Sequence, residues 1–304
     1  LMEVGSLFFH NRSGLHPGAE TTLSRHFRGH GPALIAVCVC IFLGPSVAHC
    51  AEATLTGEAT QGGLLIGRTA VGNTVEWQGR KLRVSPDGVF LVGFGRDAQP
   101  RSSIVVVDRE GARQTIAVNV TGRDYRIQHI EGLPQEKVTP PPAVSERIRS
   151  EGARVAAARS RDDPRTDFAN GFIWPLEGRI TGVYGSQRVL NGEPRRPHFG
   201  VDVAAPVGTS VMAPADAVIS FADPDLYFSG GTLIMDHGHG LSSTFIHLNR
   251  ILVEEGQEVR QGEVVAEVGM TGRATGPHLD WRMNLFDVRL DPQLLAPAIA
   301  ADSD

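Results

Sequence analysis

Cysteine is nearly absent: three occur in 304 residues, at positions 38, 40 and 50. No disulfide framework is therefore available, and stability must come from ordinary apolar cores. Lysine is scarcer still, limited to Lys81 and Lys137. The stretch Val253–Val265 has the look of a lipoyl-type hairpin, but a carrier module needs a lysine at its exposed turn and none follows Lys137. Strong charge of either sign is lacking too. A net charge of -5 gives no case for a nucleic-acid surface, and the excess of arginine over lysine reads as compositional bias. Long apolar runs are also missing. Ala33–Leu43 is too short to span a membrane but suits the core of an export signal, with Arg25, His26, Arg28 and His30 as its basic approach. Residues 1–51 are expected to be a signal peptide with an over-extended start, since residues 1–20 are long and featureless for a leader. Cleavage would follow Ala48, Cys50 or Ala51, and the large His49 beside Cys50 argues against lipidation.

What is present is mostly short β-forming runs. With 41% hydrophobic residues and 35 glycines, the chain suits two modest, mainly β domains. Across residues 52–137 the candidate strands are Leu64–Ile66, Thr74–Trp77, Lys81–Val84, Val89–Val92, Ser103–Val107 and Gln114–Val118. Turns at Ser85-Pro86-Asp87-Gly88 and Asp108-Arg109-Glu110-Gly111 separate them. This spacing predicts a small β-sandwich-like accessory domain with no cluster of ionisable residues, His129 standing alone. Residues 138–170 read as a linker. Thr139-Pro140-Pro141-Pro142 is extended, and Ser145 opens a capped helix running through Ala158. Its thin apolar stripe, Ile148 and Val155, suits a spacer lying loosely on a domain. Residues 171–297 are β-rich again, with Ser210–Pro214, Ala217–Phe221 and Thr232–Asp236 as strands; residues 298–304 form a tail.

The chemistry gathers in that last domain. In Arg196-Pro197-His198-Phe199-Gly200-Val201-Asp202 an imidazole and a carboxylate stand four residues apart. Gly200, Val201, Val203 and Pro206 favour a strand entered from a loop. Fully extended, the two side chains would lie about 13 Å apart, so the backbone must bend for them to share a metal ion, and Gly200 permits that. Some 75 residues on, His278, Asp280 and Arg282 alternate with Leu279, Trp281 and Met283. This is a half-buried strand with its polar side turned to a cleft. A lone histidine, His247, follows the β-formers Phe245 and Ile246. His237 and His239 form a further HxH, but the glycines around them predict surface histidines in a turn.

Together these pieces resemble the lysostaphin-like zinc metallopeptidases of family M23, whose pattern is HxxxD, a histidine in a strand, and HxH after a Gly-rich turn. The match runs from about Phe172 to Leu295. It includes Trp174-Pro175-Leu176, Tyr184-Gly185-Ser186 and Asp236-His237-Gly238-His239-Gly240. The resemblance implies a lysostaphin-like antiparallel β peptidase domain holding one zinc ion per chain, with His198 and Asp202 as ligands and His247 and His278 assisting catalysis. It departs at the third ligand, where the family's histidine is Asp280. A site of three protein ligands plus water is still countable with Asp280 in that place. Arg188, Asn191 and Tyr184 are expected along the groove, with Gly230-Gly231 and Gly272–Gly276 at its rims. The implied activity is an endopeptidase cutting the peptide part of bacterial peptidoglycan, exported to the periplasm or cell envelope. Membrane contact is expected only if the signal segment stays uncleaved. The alternative is an inactive relative that binds wall peptides or activates a separate amidase.

Overall fold

The structure, a computed structural model, describes residues 52–130, 144–190 and 192–298. The expected signal segment lies outside these residues. Strands β1 (Ala53–Gly57), β2 (Leu64–Thr69), β3 (Thr74–Trp77), β4 (Arg80–Leu82), β5 (Val89–Gly93), β6 (Arg101–Val107) and β7 (Arg113–Asn119) build two antiparallel sheets, ordered β1-β2-β5 and β4-β3-β6-β7. Leu65, Phe90 and Val92 from the first meet Val75, Trp77, Ile104 and Val106 from the second in one core, as a sandwich requires. The first sheet is apolar on both faces. Leu64, Val89 and Leu91 point the other way and pack with Phe168, Phe172 and Leu176 of the C-terminal half. That double burial explains the uninterrupted apolar run of β5, every residue of which is buried.

After β8 (Ile127–Ile130), α1 (Ser145–Arg159) is the linker helix. Its N-cap is Val144 without a side-chain hydrogen bond, so Ser145 lies inside the helix and is not the expected cap. Val155 and Ala158 rest on Phe221, Leu226 and Ile234, while Arg154 pairs with Asp223 at 2.8 Å.

The C-terminal half continues with β9 (Arg179–Gly182), β10 (Gln187–Leu190), β11 (Glu193–Pro194), β12 (Val201–Ala204), β13 (Ser210–Met212), β14 (Ala217–Leu226), β15 (Gly230–Asp236), β16 (Leu241–Leu248), β17 (Arg250–Ile251), β18 (Glu258–Val259), β19 (Val264–Glu267), β20 (His278–Leu285) and β21 (Val288–Leu290). One antiparallel sheet runs β18-β14-β15-β16-β20-β12-β9, with β21 added to β20. Strand alternation divides its residues. Leu233, Met235, Phe245, Leu279, Trp281 and Met283 face the main core, which the small sheet β13-β19-β17 completes through Val211, Val265 and Ala266. The opposite face carries Ile234, Thr244 and Arg282 in one cross-strand row and Ile246, Asp280 and Asp202 in the next. Helix α1 lies on this second face, because its apolar contacts include Ile234.

Candidate metal centre

Three elements deliver the cluster. His198 sits on the loop before β12, Asp202 on β12, and Asp280 on β20 directly opposite Asp202 in the antiparallel register. One ligand atom from each lies within 4.8 Å of the others. The bend foreseen at Gly200 has a second cause in space. A Cβ on Gly200 would collide with the Asp280 carboxylate, and one on Gly182 would collide with that of Asp202. Two glycines thus leave the room that the paired carboxylates occupy.

His198 turns Nδ1 toward the Val183 carbonyl at 3.3 Å. A carbonyl can only accept, so Nδ1 carries the hydrogen and Nε2 faces the carboxylates with its lone pair. Nε2 is 3.3 Å from Asp280 Oδ2 and 3.2 Å from Asp202 Oδ1. Asp202 Oδ1 is buried yet in no hydrogen-bonding geometry. Converging acceptor atoms, one of them orphaned, are the arrangement a cation satisfies. In the absence of an ion a proton takes that part. Burial alone lowers the His198 pKa, but the carboxylates of Asp202 and Asp280 more than reverse this and push it up to about 10.

Arg282, which carried no assigned role in the sequence, is decisive for Asp280. Its Nε donates to Oδ1 at 2.9 Å and its Nη2 to Oδ2 at 2.6 Å, a bidentate fork. Burial would raise the Asp280 pKa, yet Arg282 foremost, with His198, holds the carboxyl well below the usual carboxylate range. The fork also balances charge. Asp202 and Asp280 bring two negative charges and Arg282 returns one positive, so a divalent ion would leave the set at net +1. That equals the charge of a site with one carboxylate and two neutral imidazoles. Asp280 with Arg282 is therefore a charge-neutral replacement for a histidine ligand, and the residues present fit a divalent metal.

His278 and His247 stand beside the cluster with ring centroids 5.0 Å apart. His278 Nδ1 donates to the Gly276 carbonyl and His247 Nδ1 to that of Thr271, both at 2.8 Å, so the neutral tautomer of each ring has its lone pair on Nε2. His278 Nε2 lies 3.8 Å from Asp202 Oδ1. His247 is 7% exposed and holds a left-handed backbone, φ 65°, at the end of β16. Such strain in a non-glycine residue persists only where the surroundings impose it; burial lowers its pKa.

Other expectations need correcting. Tyr184 is buried, its hydroxyl donating to the Arg289 carbonyl at 2.8 Å, and takes no place on a groove rim. Arg188 is exposed on β10, and Asn191 lies outside the described residues. His237 and His239 are buried, not on the surface. His237 is held by the Asp216 carbonyl and Ser243 Oγ, each at 2.8 Å, while His239 packs edge-on against Phe168.

Residues 196–292, which span the ligand cluster, match the model of peptidase family M23. About a third of the chain is thus similar to the M23 peptidases. Among solved structures, one assigned to peptidase M23 from Pseudomonas aeruginosa is similar with a TM-score of 0.60 and 28% identity, over 80% of this chain and 96% of that one. Among curated proteins, the cell division protein DipM of Caulobacter vibrioides is 30% identical over 53% of this chain and 26% of its own length. The peptidoglycan DD-endopeptidase ShyA of Vibrio cholerae is 36% identical over 31% and 24%. The DD-carboxypeptidase/endopeptidase Mpg of Neisseria meningitidis serogroup B is 40% identical over 35% and 23%. The chain thus spans about a quarter of the length of these relatives.

Proposed function

We propose that the M23-like domain is a zinc-dependent endopeptidase acting on the peptide part of bacterial peptidoglycan, and that the chain is exported to the periplasm or cell envelope to reach it. The observation that carries this reading is the convergence of His198, Asp202 and Asp280 with a buried unpartnered oxygen at its centre and two histidines beside it, each anchored through Nδ1 to a backbone carbonyl. The names of ShyA and Mpg support the substrate class. The three side chains would hold one ion, which when bound supplies the charge that polarises a scissile amide carbonyl and lowers the pKa of the attacking water. Arg282 keeps Asp280 ionised and fixed in orientation. His278, whose Nε2 is the nearer to the cluster, accepts the water's proton at that atom and returns it to the leaving amine. His247, held neutral by burial, orients the same water or a substrate N–H through its own Nε2.

The test is release of soluble peptide fragments from purified peptidoglycan. His278→Ala should lower the rate by about 100-fold or more while leaving zinc content unchanged. Undiminished release by that variant would remove His278 from the reaction. A second reading, a binding or amidase-activating relative without hydrolysis, draws on the Arg282 fork, which already engages both oxygens of Asp280. It predicts retention of wall peptide with no fragment release even when zinc is supplied.

A further inference from the structure

On the face that carries the cluster, the arginines exceed the carboxylates able to answer them. Arg282 has Asp280. Arg159, the last residue of α1, reaches across to β16, where its Nη2 donates to Thr244 Oγ1 at 3.1 Å. Thr244 is the cross-strand partner of Arg282. Arg289 on β21 donates to Asn284 Oδ1 at 3.1 Å, and Asn284 is both its cross-strand partner and two residues from Arg282 on the same face. Arg282 is therefore flanked by Arg159 through Thr244 and by Arg289 through Asn284. Among the described residues, neither flanking arginine has a carboxylate within 4.0 Å. Burial foremost lowers the pKa of both, followed for Arg159 by repulsion from Arg289, Arg282 and Arg196 and for Arg289 by repulsion from Arg282 and Arg196.

Two polar atoms between these groups are also unanswered. Arg159 Nε is buried without a hydrogen-bond partner, and so is the hydroxyl of Ser242, a residue 3% exposed that stands opposite Asn284 in the register. Unpaired guanidiniums, an orphaned N–H and an orphaned hydroxyl gathered around a floor of Thr244 and Asn284 form a built environment for a small anion. Asp280 lies two residues from Arg282 and four from Asn284 on the same face of β20, about 7 and 13 Å along the strand, so an anion here would share the face of the cluster at a distance that a bound peptide spans in a few residues.

We propose that Arg159 and Arg289, with Ser242 between them, bind a carboxylate of the substrate peptide and so select acidic wall peptides for the adjacent cleft. This rests on the peptidase reading, because a carboxylate at that place belongs to whatever peptide occupies the metal centre. It is either a free chain terminus or a side-chain carboxyl.

The test uses the full chain with zinc and one soluble cross-link fragment of peptidoglycan in three forms: all carboxyls free, the terminal carboxyl amidated, and the side-chain carboxyls amidated. Binding is followed by calorimetry and cleavage by chromatography. The unmodified fragment should bind about tenfold or more tighter than one of the amides, and the weaker amide identifies the carboxyl that is read. Arg289→Met and Arg159→Met should each erase that preference without changing affinity for the weaker amide, and Arg289→Lys should restore part of it. A thermal melt verifies that each variant is folded. Equal affinity for all three forms, absence of binding, or a preference that survives both Met variants would overturn the subsite. Cleavage without a preference would leave the peptidase reading standing and remove this one. A preference without cleavage would do the reverse.

Discussion

Asp280 shows how far a motif can be read residue by residue. Its place in the HxH pattern is visible in the sequence, as is the alternation that sets Arg282 on the same face. Their bidentate pairing is not, because it depends on rotamers fixed by packing around β20. Removing the carboxylate leaves a half-buried guanidinium without its partner. Asp280→Ala should therefore lose zinc and also cost about 2 kcal/mol of unfolding free energy, read by calorimetric metal titration and denaturant melts. Asp280→His should carry a similar stability cost and bind zinc well only when combined with Arg282→Gln; full zinc affinity in the single variant would show that the fork plays no part. His237 and His239 are a second case. Their flanking glycines suggested an exposed turn, whereas long-range packing against Phe172 and Phe168 buries both rings. Burial lowers the His237 pKa and takes that of His239 to about 4. An unfolded histidine titrates near 6.5, so between about 6.5 and 4 the unfolded chain takes up protons that the folded one refuses. The stability these residues contribute is complete above pH 6.5 and is lost as the pH falls toward 4. Melting temperature should fall over that window, and Phe or Gln at position 239 should flatten the fall.

At the scale of elements, local pattern carried most of the reading. Strands β3, β5, β6 and β7 were visible as alternating or uniformly apolar runs between recognisable turns. Strand β8 was not: its four residues pair in parallel with β10, Ile127 facing Gln187, a partner that short-range patterning does not reveal. The helix was legible but its service was not, since the thin stripe suggested a loose spacer. Val155 in fact seats α1 on Phe221 and Ile234 and so sets the position of Arg159. Val155→Asp should cost roughly 1–3 kcal/mol of stability and release the helix from the sheet, detectable as faster amide exchange over residues 145–159. Unchanged exchange would mean that the arginine contacts alone hold the helix.

For the whole molecule, the sequence suggested two domains joined by a linker, and the packing is more continuous than that. Leu64, Val89 and Leu91 of the N-terminal sheet belong to the same core as Trp281 and Phe245 beneath the metal centre. Sequence pattern shows which residues are apolar but not which of two cores each face of a doubly buried sheet will join, so this continuity was beyond it. The active unit by this account is therefore the M23-like domain backed by the N-terminal sheet and covered at one end by α1. Its central claim is that a single ion, held by His198, Asp202 and Asp280, is what makes the cleft hydrolytic. The direct measurement is fragment release from purified peptidoglycan as zinc is titrated into the chelator-stripped chain. The account predicts none at zero zinc and a linear rise that saturates at one ion per chain. Release that is unaffected by chelation, or absent at every zinc level, would contradict it.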